Sequence, residues 1–479
     1  MSKRGLGTIT TLLDLTDRDA QENDMYPLDT TTTWFSRDGK RTTIPFSPQI
    51  QTLLFRGPAA FGQRFTFDIG SIQCGDLIFD AVLQIKLRHW LDASTLLRLD
   101  AGDITYQDVS TAWEYANSLG TAIIAKAELE VDGKTLETID GDFISVAALL
   151  FPDYNTQFGI AYDHLGRLSV PALTGLTAPR PYPTENGVIN CPLSFFFGRV
   201  RYQEAFPLIS VKEGLCRINI TLRPFSEIVR QMRGYKDACT SVPLGTTTTF
   251  LDRHSVPFVA TSQAVIPSLE SVALVTHGAI LDGELRATML RKPYEMIYRE
   301  LQTFYFDEPL KYSVRSQSDK ITIQLPLEAN HPVEEILWFI RRKDVALNNE
   351  WTNYGGTLEK DWTAQSVLRP LLVSAKIQVN GITLIEADEQ YFRHHIASKH
   401  AGGYAAFSNY IYGISFAERP GEHDPTGSIN ASRANSLRLT LEVQPPVGTD
   451  SSLWEVKVFC LGINWLRFEN GLANPLFED

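Results

Sequence analysis

The chain lacks a long basic tract. Its 479 residues carry 44 Lys and Arg against 56 Asp and Glu, a formal charge of −12, and the cationic Lys3-Arg4 near the start is short. A protein that grips nucleic acid directly displaces phosphate counterions with clustered Lys and Arg. Direct contact with nucleic acid is therefore not expected, and the acidic balance leaves association to shaped, charge-depleted patches. Paired cysteines are missing as well. Cys74, Cys191, Cys216, Cys239 and Cys460 are odd in number, scattered, and never at CxxC spacing. No zinc or redox motif is written there, and the thiols are expected to be reduced and mostly buried, as in a cytosolic product.

Long apolar runs are absent too. The longest, around Phe143 to Phe151, falls far short of the roughly 18–20 residues that span a bilayer. Met1-Ser2-Lys3-Arg4-Gly5 is not followed by the apolar stretch of a secretory signal, so a soluble product outside the usual secretory route is expected. No GxSxG elbow, P-loop or GxGxxG occurs. His394-His395 with His400 is the one histidine cluster. It lacks the HExxH spacing of a metal site and reads as loop or sheet-edge histidines. Carboxylate pairs of the glycosidase kind cannot be read from spacing among 56 acids. No catalytic residue, metal or cofactor is expected. Gly355-Gly356 and Gly402-Gly403 mark turns. Two Asn-x-Ser/Thr sequons occur, at Asn219 and Asn430. Asn219 falls on the polar face of a strand, where a glycan would fit sterically, but without a secretory signal both sequons read as coincidental.

What is present is period-two alternation. Phe65, Phe67 and Ile69 alternate with Arg64, Thr66 and Asp68; Cys216, Ile218, Ile220 and Leu222 with Arg217, Asn219 and Thr221. In the second half, Ile321, Ile323, Leu325 and Leu327 and then Leu437, Leu439, Leu441 and Val443 repeat the pattern. Half-buried antiparallel strands read this way. The 26 Phe, 17 Tyr and 8 Trp suit pleated, packed surfaces. The length exceeds what one core usually supports. The best helix predicted is short, Ser226 to Arg233, with Ser226 as N-cap.

An internal repeat organises the whole. Ala127 to Leu136, with the turn Val131-Asp132-Gly133, recurs as Ala375 to Leu384, with Val379-Asn380-Gly381. Asp140 and Phe143 continue the match, without a gap, at Asp388 and Tyr391; the offset is constant at 248 residues (381 − 133 = 248). Asp-Gly and Asn-Gly tolerate the positive φ angles of a two-residue type I′ hairpin. Two such hairpins with matched flanks, half a chain apart, imply duplication of a whole sandwich, since solenoid and propeller repeats are far shorter. The expected division is an N-terminal arm at 1–42, a first sandwich at 43–235 and a second at 236–479. Two long connections, the proline-rich 151–190 and the Thr-rich 236–262, are expected to be functional surfaces.

Several segments carry a family resemblance. Leu325-Pro326-Leu327-Glu328-Ala329-Asn330-His331-Pro332-Val333-Glu334-Glu335-Ile336-Leu337-Trp338 resembles the start of the second jelly roll in major capsid proteins of nucleocytoplasmic large DNA viruses. So does Pro425-Thr426-Gly427-Ser428-Ile429-Asn430-Ala431-Ser432-Arg433 before the Leu437 strand. Trp113 to Gly133, with Leu119-Gly120, is similar to the first jelly roll, and Leu13 to Phe35, with Ala20-Gln21 and Tyr26, to the N-terminal arm. Glu328-Ala329 departs from the pattern by lengthening the link to Asn330-His331-Pro332. Pro332 is expected to end the preceding strand. Asn330 and His331 are expected to bond backbone at the corner, and Asn430, Ser432 and Arg433 to tie down the turn at Gly427-Ser428.

The resemblance implies an all-β chain of two tandem eight-stranded jelly-roll sandwiches, with few short helices and long loops. It implies no enzyme but a virion protein, assembled in the host cytoplasm, whose homotrimers form pseudo-hexameric capsomers of an icosahedral shell. The implied partners are neighbouring capsomers, minor capsid and penton proteins, and an internal membrane on the inner side. The rival reading is a carbohydrate-binding or carbohydrate-active β-sandwich, which more often carries a signal peptide or disulfides and leaves the duplication unexplained.

Overall fold

Alternating strands that bury one face need a second sheet to bury it against. The computed structural model shows how this chain supplies one, twice. It describes residues 46–88, 113–152, 187–199, 205–233, 252–254, 268–308, 320–343, 349–356, 370–400, 410–422, 424–444 and 454–477, with isolated positions between.

In the first half the strands are β1 Phe46–Leu54, β2 Arg64–Asp68, β3 Leu77–Leu87, β4 Trp113–Tyr115, β5 Ile124–Val131, β6 Lys134–Ile139, β7 Val188–Pro192 and β8 Cys216–Leu222. They continue with β9 Val229–Arg233, β10 Asp252–His254 and β11 Leu269–Leu281. Sheet order β1-β11-β3-β7 faces β2-β8-β5-β6, all pairs antiparallel. The second half runs β12 Tyr294–Glu308, β13 Ile321–Leu327, β14 Pro332–Arg342, β15 Leu372–Val379, β16 Ile382–Asp388 and β17 Ile411–Ser415. Then come β18 Ile429–Asn430, β19 Leu437–Val443, β20 Trp454–Glu469 and β21 Leu472–Pro475. Here β12-β20-β14-β17 faces β13-β19-β15-β16. The two orders correspond strand for strand, which is the double jelly roll that the resemblance implied.

The alternation does what the pattern demanded: in β13, Ile321, Ile323, Leu325 and Leu327 are buried and the residues between them exposed. The repeat holds at the level of backbone detail. Asp132 and Gly133 have φ of 52° and 76°, Asn380 and Gly381 of 52° and 80°, as a type I′ turn requires. In β5 the register slips between Ile124 and Lys126 and between Leu129 and Glu130; in β15 it slips between Leu372 and Ser374 and between Ile377 and Gln378. Each slip sits 248 residues from its counterpart. After each hairpin an aspartate caps a helix. Asp140 accepts from the Phe143 amide at 2.8 Å to open α1 (Gly141–Leu150). Among the described residues the next helix of comparable length is α2 (Gly283–Arg291), and Asp388 accepts from the Tyr391 amide at 2.9 Å to open α3 (Glu389–Lys399).

Two expectations are corrected. The helix at Ser226–Arg233 does not form: a 3-10 turn at Phe225–Glu227 leads into β9, which pairs with β4 and β10. Sheet pairing overrides a weak local helix signal. The first sandwich also does not end at residue 235, because β11 lies between β1 and β3 in its sheet. Residues 223–268 separate β8 from β11, whereas only 444–453 separate β19 from β20; a repeat fixes which strands correspond, not the chain between them. The expected arm at 1–42 lies outside the described residues, as do nearly all of the 151–190 and 236–262 connections. Cys74, Cys191, Cys216 and Cys460 are buried free thiols; Cys239 lies outside the described residues.

Candidate assembly site

Two constellations hold the parts of this chain in position: a corner in the second sandwich and the seam between the sandwiches.

At the corner, the two second-half motifs meet though about 100 residues apart in sequence. β18 pairs with the start of β14, Asn430 opposite Pro332 and Ile429 opposite Val333. Pro332 thus opens β14 rather than ending β13, taking the first position of a strand, where a missing N–H is tolerated. His331 has φ of 63°, a conformation non-glycine residues seldom adopt. Its amide donates to Ser432 Oγ at 2.8 Å, and its carbonyl accepts from the Ala431 amide at 2.9 Å. The backbone of Asn330 is held by one side chain: its amide donates to Gln302 Oε1 at 2.9 Å, and Gln302 Nε2 donates to its carbonyl at 3.1 Å. Backbone groups, then, carry these bonds. Gly427 has φ of 151°, and a Cβ there would come within 2.6 Å of the Phe416 carbonyl. Ser428 is exposed, and Arg433 closes the 3-10 turn Ala431–Arg433. Trp338 is fully buried against Phe392 and Tyr412.

The seam explains why β14 is buried on both faces from Val333 to Arg341. Ile336, Trp338 and Ile340 fill the second sandwich, while Phe339 and Arg341 turn toward the first. Phe143 of α1 lies 5.3 Å from Phe459, which lies 6.1 Å from Phe339. Beside them the Arg341 guanidinium forks onto Asp142, at 2.8 and 3.1 Å, and also bonds Glu455. Lys457 donates to Asp140 at 2.7 Å and to Asp142. Burial alone would raise the Asp142 carboxyl, but Arg341 and Lys457 overcome it and hold the group well below the usual carboxylate range. Burial works against charge on Lys457 too, yet Asp142 and Asp140 raise it to about 12. Glu137 is pushed up by burial, partly offset by Arg199, whose Nη1 also donates to the Arg299 carbonyl at 2.9 Å. Further along, Asn349 Nδ2 donates to the carbonyls of Ser226 and Val229, both at 2.8 Å, and Trp351 Nε1 to that of Glu227 at 2.7 Å.

Asp142, Arg341 and Lys457 were missed by sequence reasoning. Their signal was present: Arg341 continues the period-two row of Leu337 and Phe339, and Lys457 that of Phe459 and Leu461, which assigns each a buried place. The histidines are also placed differently from expectation. His394 and His395 lie on α3, with His395 stacked on Tyr391, and His400 Nε2 is 3.0 Å from Glu335. No group of three metal-ligating side chains occurs among the described residues, and none of their helices is long and apolar enough to cross a membrane. A groove at the seam's edge is lined by the carboxylates Glu137, Asp140 and Glu300 together with Thr135, Leu136, Thr138, Leu301 and Thr303. Asn219 is 3% exposed and bonded to Thr66 and Glu130, so a glycan does not fit there.

Comparison with known proteins decides what this scaffold is. Residues 286–474 match the family described as large eukaryotic DNA virus major capsid protein, and residues 33–249 that of the major capsid protein N-terminus. The major capsid protein of Pyramimonas orientalis virus is 30% identical over 457 residues, covering 91% of each chain. The chain belongs to the major capsid protein family of large eukaryotic DNA viruses. That of Chrysochromulina ericina virus is 26% identical over 318 residues, 60% of this chain, which spans 50% of that relative's length. The solved Faustovirus major capsid protein superposes with a TM-score of 0.65 over 97% of each chain at 13% identity, a likeness of fold. As a member of a capsid family, this chain is a structural protein of the virion. The two family matches leave 250–285 between them, the stretch that holds β11.

Proposed function

We propose that this capsid protein works as a homotrimer, a capsomer of pseudo-sixfold outline that tiles an icosahedral shell. The observation that carries the reading is the duplication: one chain is two corresponding jelly rolls joined by a buried seam. Three chains then present six similar units, and a heterologous contact repeated around an axis can close into such a ring. The hairpin residues Val131-Asp132-Gly133 and Val379-Asn380-Gly381 and the corner residues Asn330, His331, Pro332, Trp338, Gly427, Ser428, Asn430, Ser432 and Arg433 serve this function by fixing loop geometry. Neighbouring capsomers, minor capsid and penton proteins are its further partners, with a membrane on the inner side, and assembly takes place in the host cytoplasm. Analytical ultracentrifugation of the purified chain tests the core of the proposal. A trimer that resists dilution is the expected result, and a monodisperse monomer at micromolar concentration would contradict it.

A further inference from the structure

The two sandwiches correspond in backbone, yet equivalent positions are covered differently. In the first, the outer side of β6 and α1 lies against the second sandwich, and Phe143 is fully buried. Its counterpart at an offset of 248 is Tyr391, which is 43% exposed; Leu384, the counterpart of Leu136, is 44% exposed. Beside them Ile382, 69% exposed, stands where the first sandwich has Lys134. A solvent-facing turn thus carries an apolar residue where its counterpart carries a lysine.

The receiving surface shows the converse. In the second sandwich α1 packs on the outer side of β12-β20-β14. The corresponding sheet of the first sandwich is β1-β11-β3. Along the outer side of its edge strand lie Phe46, Ile50 and Leu54, exposed by 50%, 69% and 65%. In register beside Thr52 are Val275 and then Val82, both half-buried, and beside Ile50 are His277 and then Asp80, 3.8 Å apart. An exposed apolar edge strand is a liability that proteins cover or blunt.

We propose that these two surfaces are the two halves of one contact between copies of this chain. The β16–α3 surface of one protomer seats on the outer side of β1-β11-β3 of the next, repeating between chains the packing that α1 makes within one. The proposal rests on the trimeric reading and adds which residues make the contact. The patches differ from each other, so the contact is head to tail, the kind that can close into a ring. It is also chemically distinct from the seam. The position of Asp142 is taken by Gln390 in the second sandwich, so the ion cluster of the seam is not repeated; the receiving face instead carries the apolar residues of β1 beside the His277–Asp80 pair.

The test uses the full chain and three variants, Ile50→Asp, Leu384→Asp and, as a milder change, Ile382→Lys, which restores the residue of the first sandwich. Leu290→Asp on α2, at a residue 60% exposed, is the control. Circular dichroism confirms folding, and sedimentation velocity reads assembly. Each aspartate variant alone is expected to weaken trimerisation on the order of 100-fold, as loss of a central contact does, Ile382→Lys less so, and the control not at all. The two aspartate variants mixed each retain one intact half, so an equimolar mixture is expected to give a one-to-one dimer that does not close. Trimers unaffected by these changes would overturn the assignment while leaving the trimeric reading intact. Monomeric variants whose mixture stays monomeric would show that the patches do not meet each other, and would overturn it too. A wild-type chain that is itself monomeric would overturn both.

Discussion

The hairpin–helix unit of the first sandwich and its counterpart in the second share turn, bulges and cap, but not surroundings. β5-β6-α1 is pressed against another sandwich through Phe143, Asp140 and Asp142; β15-β16-α3 leaves Leu384 and Tyr391 in the open. The difference shows that backbone-specifying residues and surface-specifying residues have been set separately. Asp-Gly or Asn-Gly, the two register slips and the capping aspartate make the unit. The residues at 142 and 390, or 134 and 382, decide what it meets.

Breaking the seam tests that separation most strongly. Arg341→Ala leaves Asp142 and Glu455 buried without their main counter-ion. It should cost about 3–5 kcal/mol, the usual penalty for removing one partner of a buried pair, whereas Gln390→Ala should change stability by less than about 0.5 kcal/mol. Urea denaturation would measure both, and equal effects would erase the distinction. The same cluster sets a pH window. Asp142 is depressed in the folded chain, so its contribution is present above its unfolded value of 3.8 and lost as pH falls below it. Lys457 is raised, so its contribution is present below 10.5 and lost as pH rises through about 12. Arg341→Ala should flatten the acid limb of a stability–pH profile.

A smaller effect distinguishes the caps. Asp388→Ala should cost about 1 kcal/mol, and Asp140→Ala more, because Lys457 also loses a partner at 2.7 Å. Asp140→Asn, which keeps a capping oxygen, should recover the cap but not the ion pair. Of similar size, and equal in the two halves, should be Gly133→Ala and Gly381→Ala, each about 1 kcal/mol for placing a side chain at positive φ. Nothing lies within 4 Å of a Cβ at either site, so unequal costs would mean the hairpins are not equivalent.

Much of this was legible in the sequence because it is local. Alternation reads out half-buried strands, and Asn-Gly reads out a turn. The gapless match from Gly133 to Phe143 already contained the cap of α1, although it reads as a match of letters rather than as a helix start. The rest depends on distant residues. Nothing near Leu269 says that its strand inserts between β1 and β3. Nothing near Arg341 names Asp142, 199 residues away. Asn219 alternates as a solvent-facing residue should, but Thr66 and Glu130 on the flanking strands close over its side chain.

Electron cryo-microscopy of the purified wild-type protein tests most directly whether the packing inside the chain is repeated between chains. A closed ring of six lobes from three chains is expected, with Leu384 and Tyr391 of each protomer seated on the outer side of β1-β11-β3 of the next. A particle in which Tyr391 remains in solvent, or meets its own counterpart across a twofold axis, would contradict it.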